Sequence, residues 1–197
     1  MTVAEQVLQL LRTTEAVLDG HFLLTSGLHS SGYVQCAKVL QYPQHAEVLG
    51  RWLADSFRGT AIDVVISPAV GGILLGHEVA RALGVRAIFG EREGGAMTLR
   101  RGFALQPGER ALAVEDVTTT GGSVREIMQV VQTHQGSVVG VGAILNRSAQ
   151  PIDLGAPFHP LAALHIPNYA PEACVLCAQG SQPIKPGSRQ LPSGGRA

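Results

Sequence analysis

Ten residues in the second half of the chain set hydroxyls, glycines and carboxylates side by side. Val114-Glu115-Asp116-Val117-Thr118-Thr119-Thr120-Gly121-Gly122-Ser123 follows an apolar run and precedes a helical pattern. A strand–loop–helix joint aims backbone N–H groups and the positive end of a helix at one spot, which suits a phosphate. Three threonines and a serine add donors, and Gly121 and Gly122 let the backbone approach closely. Glu115 and Asp116 would repel a phosphate, so they must serve another part of the ligand. Sugar hydroxyls are the natural partners, and a phosphorylated ribose satisfies both halves. Simple capping of a helix by threonine needs one hydroxyl, not four beside two acids. The rival phosphate motifs G-x-x-x-x-G-K-[ST] and G-x-G-x-x-G are absent.

Other residues could complete such a site. Ser67-Pro68-Ala69-Val70-Gly71-Gly72 sits at the end of an earlier apolar run. Residues 91–102 hold Arg92, Arg100 and Arg101 with two acids and three glycines and no hydrophobic period. They are expected to form a mobile loop. Asn146-Arg147 ends another apolar run, and an arginine fork there suits a planar carboxylate. A surface arginine at a strand end is the plainer alternative. Cys174-Val175-Leu176-Cys177 has C-x2-C spacing, with His159 and His165 as the nearby histidines. Two ligands do not make a zinc site, so the pair reads as thiols without metal. His77-Glu78 does not extend to H-E-x-x-H.

The elements that must position these groups follow from periodicity. Val3, Val7, Leu10 and Leu11 mark a helix over about 3–13. Phe22–Gly27 and Gly32–Cys36 read as two short strands, with Leu28–Ser31 turning between them. Pro43 opens a helix running to about Phe57. Then strands over 63–67, 86–89, 111–116 and 138–145 alternate with helices over 72–83 and around Val124–Val131. Strands apolar on both faces, alternating with helices, argue an α/β fold with a central, mostly parallel sheet flanked by helices. The expected organisation is one domain over 1–177, with residues 1–40 set apart at the N-terminus. Ten of the twenty residues in 178–197 are Gly, Pro or Ser, which reads as a flexible tail.

Composition narrows the function classes. With 45% hydrophobic residues among 197, the chain can bury a core. Lys+Arg and Asp+Glu are both 15, so there is no basic excess for nucleic acid or a membrane surface. No apolar run reaches a membrane span, and the first residues lack a signal-peptide pattern. Three cysteines make no disulfide framework, and a cytoplasmic protein is expected. Gly, at 24, is about 12%, above the usual ~7%.

The 114–123 segment resembles the phosphoribosyl diphosphate (PRPP) signature of type I phosphoribosyltransferases, with Glu115 where Asp is commoner. Ser67–Gly72 is similar to that family's diphosphate loop. Phe22-Leu23-Leu24-Thr25-Ser26-Gly27-Leu28-His29-Ser30, then Gly32-Tyr33, resembles the N-terminal hood of orotate phosphoribosyltransferases, and Arg147 matches their orotate-contacting arginine. The chain departs in having only Lys38 and Lys185. Where studied members carry lysines, it reads Thr25, Gly71 and an all-arginine loop.

The resemblance implies a type I phosphoribosyltransferase fold with a small hood over about 1–40. It implies a glycosyltransferase that moves phosphoribosyl from PRPP to orotate, giving orotidine 5′-monophosphate and diphosphate in pyrimidine biosynthesis. Thr118, Thr119, Thr120, Gly121, Gly122 and Ser123, with Val117, would hold the 5′-phosphate. Glu115 and Asp116 would hold the ribose and stabilise positive charge on it. Ala69, Val70 and Gly71 would receive diphosphate. Arg92, Arg100 and Arg101 would close over it as a lid, by charge rather than proton transfer, because arginine stays protonated. Thr119, Arg147, Tyr33 and Ser26 would meet orotate; Tyr33 is equally readable as a core aromatic. Mg2+ would arrive on PRPP, with no direct protein ligand. A homodimer sharing lids between subunits is implied. A purine-specific transferase, and a non-catalytic relative binding nucleotide and RNA, are the other readings; zero net charge weighs against RNA.

Overall fold

The computed structural model describes residues 1–24 and 26–186. Thr25 and the last eleven positions of the expected tail therefore lie outside the described residues. The chain divides into two compact units. The larger comprises Met1–Ala16 and Gln35–His165; the smaller joins Val17–Val34 to the segment that begins at Ile166.

In the larger unit, α1 (Val3–Thr13) starts on a reciprocal cap. The Glu5 amide donates to Thr2 Oγ1, and the Thr2 amide donates to the Glu5 carboxylate at 2.7 Å. A short turn, α2 (Ala37–Leu40), leads to α3 (Pro43–Asp55), with proline in the first turn as expected. The remaining elements are β3 (Val64–Pro68), α4 (Gly72–Leu83), β4 (Arg86–Glu93), β5 (Ala96–Leu99), β6 (Arg110–Thr118), α5 (Gly122–Thr133), β7 (Ser137–Asn146) and β8 (Phe158–Ala163). Six strands form one sheet in the order β5-β4-β3-β6-β7-β8, parallel except for β5.

Both faces of the sheet are covered, which explains its unbroken apolar strands. Val64, Ile66, Ala111, Ala113 and Val141 join Val124, Ile127 and Val131 of α5 in one core. The opposite face meets α3 and α4. There the glycine excess finds a use: a Cβ on Gly50 of α3 would lie 2.5 Å from Glu78 Cβ of α4. The two helices pack this closely because position 50 carries no side chain.

Chain order fixes where a ligand can bind. From β3 the chain passes through α4 to β4 on one side, then returns through β6 on the other. The crevice at the carboxyl ends of β3 and β6 is thus a topological switch point. The two loops singled out in the sequence, 68–72 and 118–122, follow those two strands.

The structure corrects the expectation for 91–102. The segment is largely a β-hairpin, with Glu93 paired to Ala96 across Gly94-Gly95. Both glycines have positive φ, 59° and 88°, as a two-residue hairpin turn requires. Met97 and Leu99 pack against the core under α5; four residues were too short a run to show their period of two.

In the smaller unit, β1 (Val17–Leu23) pairs antiparallel with β2 (His29–Val34), and β2 pairs with β9 (Asn168–Tyr169). Both strands lie N-terminal to their expected positions, and His29–Ser31, expected as a turn, is strand. A 3-10 turn (Pro171–Ala173) and a single helical turn, α6 (Val175–Ala178), follow. The described start of the expected tail is not loose: the Leu23 amide donates to Ile184 O at 2.9 Å and the Ile184 amide to His21 O at 2.8 Å.

Candidate active site

The site in the larger unit is built on the end of β6. Register places Thr118 opposite Asn146 of β7, and the Arg147 amide donates to Thr118 O at 2.8 Å. Gly121 turns the chain into α5 at φ 79°, a left-handed conformation natural to glycine. A Cβ there would also lie 2.9 Å from Leu154 Cδ2. Glu115, Val117 and the run Thr118–Val124 line one polar cleft at the helix start. Thr118 Oγ1 is buried there without a hydrogen-bond partner among the described residues. A buried hydroxyl in that state is costly unless a ligand or water completes it.

Glu115 lines this cleft, and Asp116 follows it on β6. The Asp116 amide donates to Glu115 Oε1 at 3.1 Å and the Val117 amide to Asp116 Oδ1 at 2.8 Å. Glu115 is buried. Burial, then the neighbouring Asp116 charge, push its carboxyl up to about 9, so it holds its proton at neutral pH. Cys36 was not marked in the sequence, where nothing sets a lone cysteine apart. It is also buried, and burial, then the neighbouring Asp116 charge, raise its thiol well above the ordinary range.

The 68–72 loop reaches the same acid. A Cβ on Gly71 would lie 2.8 Å from Asp116 Oδ2, so glycine permits the approach. The Ala69 amide donates to Gly90 O of β4 at 2.8 Å, which holds the loop base to the sheet. Val70 is 82% exposed at the tip.

Arg92, Arg100 and Arg101 are paired within the larger unit. Arg101 makes two hydrogen bonds to Glu91, at 2.7 and 2.9 Å, and its guanidinium lies 5.8 Å from the Phe89 ring centre. Arg100 meets Glu93 at 3.3 Å, and Arg92 meets Glu126 of α5 at 2.8 Å. Such exposed pairs are weak, about 0–1 kcal/mol each, and can be exchanged for a more highly charged anion. Of the residues expected to meet orotate, Thr119 and half-buried Arg147 stand at the ends of β6 and β7. Ser26 and Tyr33 belong to the smaller unit, where Ser26 is exposed in a turn and the Tyr33 ring lies 5.8 Å from that of Phe22.

Known proteins agree with this architecture. The Phosphoribosyl transferase domain family matches residues 36–158. Orotate phosphoribosyltransferases of Caldanaerobacter subterraneus subsp. tengcongensis and Pelotomaculum thermopropionicum are each 53% identical over 187 residues, 95% of this chain and 98% of theirs. Among solved structures, Mycobacterium tuberculosis H37Rv orotate phosphoribosyltransferase superposes with a TM-score of 0.69 at 22% identity, over 82% of this chain and 97% of that one. Adenine phosphoribosyltransferase from Thermoanaerobacter pseudethanolicus gives 0.58 at 19%, over 68% of this chain and 88% of that one. The fold is therefore common to transferases of different bases, and the distinction rests on sequence. With a hydroxyl-rich loop and an adjacent acid pair, buried Glu115 and half-buried Asp116, at the switch point of a mostly parallel sheet, and with relatives matching over nearly their full length, the chain belongs to the orotate phosphoribosyltransferase family of the phosphoribosyl transferases.

Proposed function

We propose that the site transfers the phosphoribosyl group of PRPP to orotate, a step in making pyrimidine nucleotides. The observation that carries this is the polar cleft at the start of α5, lined by Glu115 and the Thr118–Ser123 run with Asp116 next in chain to Glu115, a pairing that fits a 5′-phosphate and a ribose diol. The relatives favour orotate over a purine. An orotate ring nitrogen bonds to the anomeric carbon as the bond from that carbon to diphosphate breaks, and the bonding electrons leave with diphosphate. A ribosyl cation-like transition state needs positioning and negative charge, not a protein nucleophile.

The geometry and the resemblance support the following roles. Thr118–Ser123 offer hydroxyls and amides to the 5′-phosphate. Neutral Glu115 can donate or accept a hydrogen bond at a ribose hydroxyl, while the Asp116 charge faces the developing cation. Ala69–Gly71 offer backbone to the diphosphate. Arg92, Arg100 and Arg101 leave their carboxylate partners for diphosphate, as a lid that excludes water. PRPP would carry any Mg2+, which would offset diphosphate charge without a direct protein ligand. Arg147 takes the orotate carboxylate with Thr119 beside it, and Tyr33 and Ser26 keep the base-binding roles that the resemblance gives them. The enzyme acts in the cytoplasm as a homodimer with each lid closing on the partner's site.

Loss of orotate absorbance with protein, PRPP and Mg2+ tests the reaction. Turnover of adenine or hypoxanthine with none of orotate would overturn it. Arg147→Ala should weaken orotate binding by about 2–5 kcal/mol, as for a carboxylate left unpaired, and hardly change PRPP affinity. Calorimetry showing unchanged orotate affinity would remove Arg147 from the base site.

The raised Glu115 carboxyl makes stability depend on pH. Between its ordinary 4.5 and about 9, the unfolded chain has released this proton and the folded chain keeps it. Folding then takes up a proton, and this group's contribution falls as pH rises through that window. Glu115→Gln removes the linkage. Its unfolding free energy should gain on the wild type by roughly 1 kcal/mol per pH unit from pH 5 to 9, read by urea denaturation. A constant difference would mean that Glu115 is ionised when folded.

Lid sharing is tested by mixing an Arg100→Ala/Arg101→Ala protein with an Asp116→Asn protein. Each should be slow alone, and mixed dimers should regain part of the activity, because one site then has neither defect. No recovery with proven subunit exchange would mean that each lid serves its own site.

A further inference from the structure

The smaller unit has little apolar material. Among its described residues the buried hydrophobic ones are Phe22, Val34, Ile166 and Cys174. Units of this size usually need a covalent or metal staple. Two histidines and two cysteines converge inside it. His21 lies on β1 and His29 on β2, while Cys174 and Cys177 flank the first turn of α6. His21, His29 and Cys174 are buried, and Cys177 is half-buried. One ligand-type atom from each lies within 4.8 Å of the other three.

The distances match those around a single ion. Zinc bonds of about 2.3 Å to sulfur and 2.0–2.1 Å to nitrogen place the corners of a tetrahedron about 3.3–3.8 Å apart. Cys174 Sγ lies 3.4 Å and Cys177 Sγ 3.8 Å from His21 Nε2. Cys177 Sγ lies 3.3 Å from His29 Nδ1, and the two ring nitrogens are 3.0 Å apart. Only a modest opening of the nitrogen pair is needed.

The surrounding hydrogen bonds select a ligating tautomer. His21 Nδ1 lies 3.1 Å from Ser181 O, a carbonyl that can only accept. The proton therefore sits on Nδ1, and the Nε2 lone pair points at the other three groups. A backbone carbonyl on the far nitrogen is the usual support of a metal-bound histidine. C-x2-C spacing supplies two ligands from one turn, and adjacent strands supply the other two. Their partners are thus not His159, which packs on Phe57 at 5.1 Å, nor His165; both belong to the larger unit.

We propose that His21 Nε2, His29 Nδ1, Cys174 Sγ and Cys177 Sγ bind one Zn2+ and so tie the β1–β2 hairpin to the α6 turn. The site is structural: four protein ligands complete the tetrahedron and leave no position for water or substrate. Binding releases the two thiol protons, and the resulting dithiolate centre is neutral with Zn2+. This departs from the expectation of an unmetallated cysteine pair.

The test is metal stoichiometry on the full chain. Protein purified without chelator and reconstituted with Zn2+ should hold one zinc per chain by mass spectrometry of the metal. Cys174→Ser/Cys177→Ser should hold none. Exchange of Co2+ into the wild type should give thiolate-to-cobalt charge transfer and the intense visible bands of a tetrahedral site, with X-ray absorption showing two sulfur and two nitrogen neighbours. The wild-type spectra decide the matter even if the variant fails to fold. Zinc well below one per chain with no thiolate charge transfer, zinc retained by the double variant, or a Cys174–Cys177 disulfide in protein kept under reducing conditions would each overturn the assignment.

Discussion

The site depends on how closely the 68–72 loop approaches Asp116. With only a hydrogen at Gly71 Cα, the loop after β3 and the acids ending β6 share one crevice; a methyl there would press on the carboxylate. Parallel pairing of β3 with β6, Val64 to Ala111 and Ile66 to Ala113, sets both loops at the same end of the sheet. The Glu115 carboxyl is raised first by its own burial and then by the Asp116 charge beside it. A fixed charge in such a crevice suits the proposed stabilisation of a cation.

Around that constraint the chain uses unequal materials. The larger unit has an apolar core on both sheet faces and needs no further reinforcement. The β4–β5 hairpin is tied down by Met97 and Leu99, while Arg92, Arg100 and Arg101 are held by half-buried Glu126 and Glu91 and exposed Glu93. Such a ribbon can keep its backbone form and still exchange charge partners. The smaller unit has few buried apolar residues, and a Cys2His2 centre would supply the missing cohesion.

Much of this was legible in the sequence. β6, α5 and β7 were found because a buried strand, a 3.6-residue period and a second buried strand are long, repeated signals. The acid pair and the threonine turn were readable because their chemistry is local. Residues 91–102 read as a loop because they carry no hydrophobic period, whereas Gly94-Gly95 are the turn that pairs Glu91–Glu93 with Ala96–Thr98. The hood strands were displaced because His29-Ser30-Ser31 carries no strand propensity; its pairing with Leu23, Phe22 and Asn168 decides it. His21 and His29 lie about 150 positions from the cysteines they meet, and no spacing rule reaches that far.

The most direct test of the Gly71–Asp116 contact is steady-state kinetics of Gly71→Ala. Gly71 has φ −58° and ψ −42°, so alanine fits the backbone and only the carboxylate is disturbed. KM for PRPP should rise by about tenfold or more, since a displacement of about 1 Å can cost that much, with the thermal midpoint unchanged. Unchanged KM and kcat in a folded Gly71→Ala enzyme would contradict the claim that this approach builds the site.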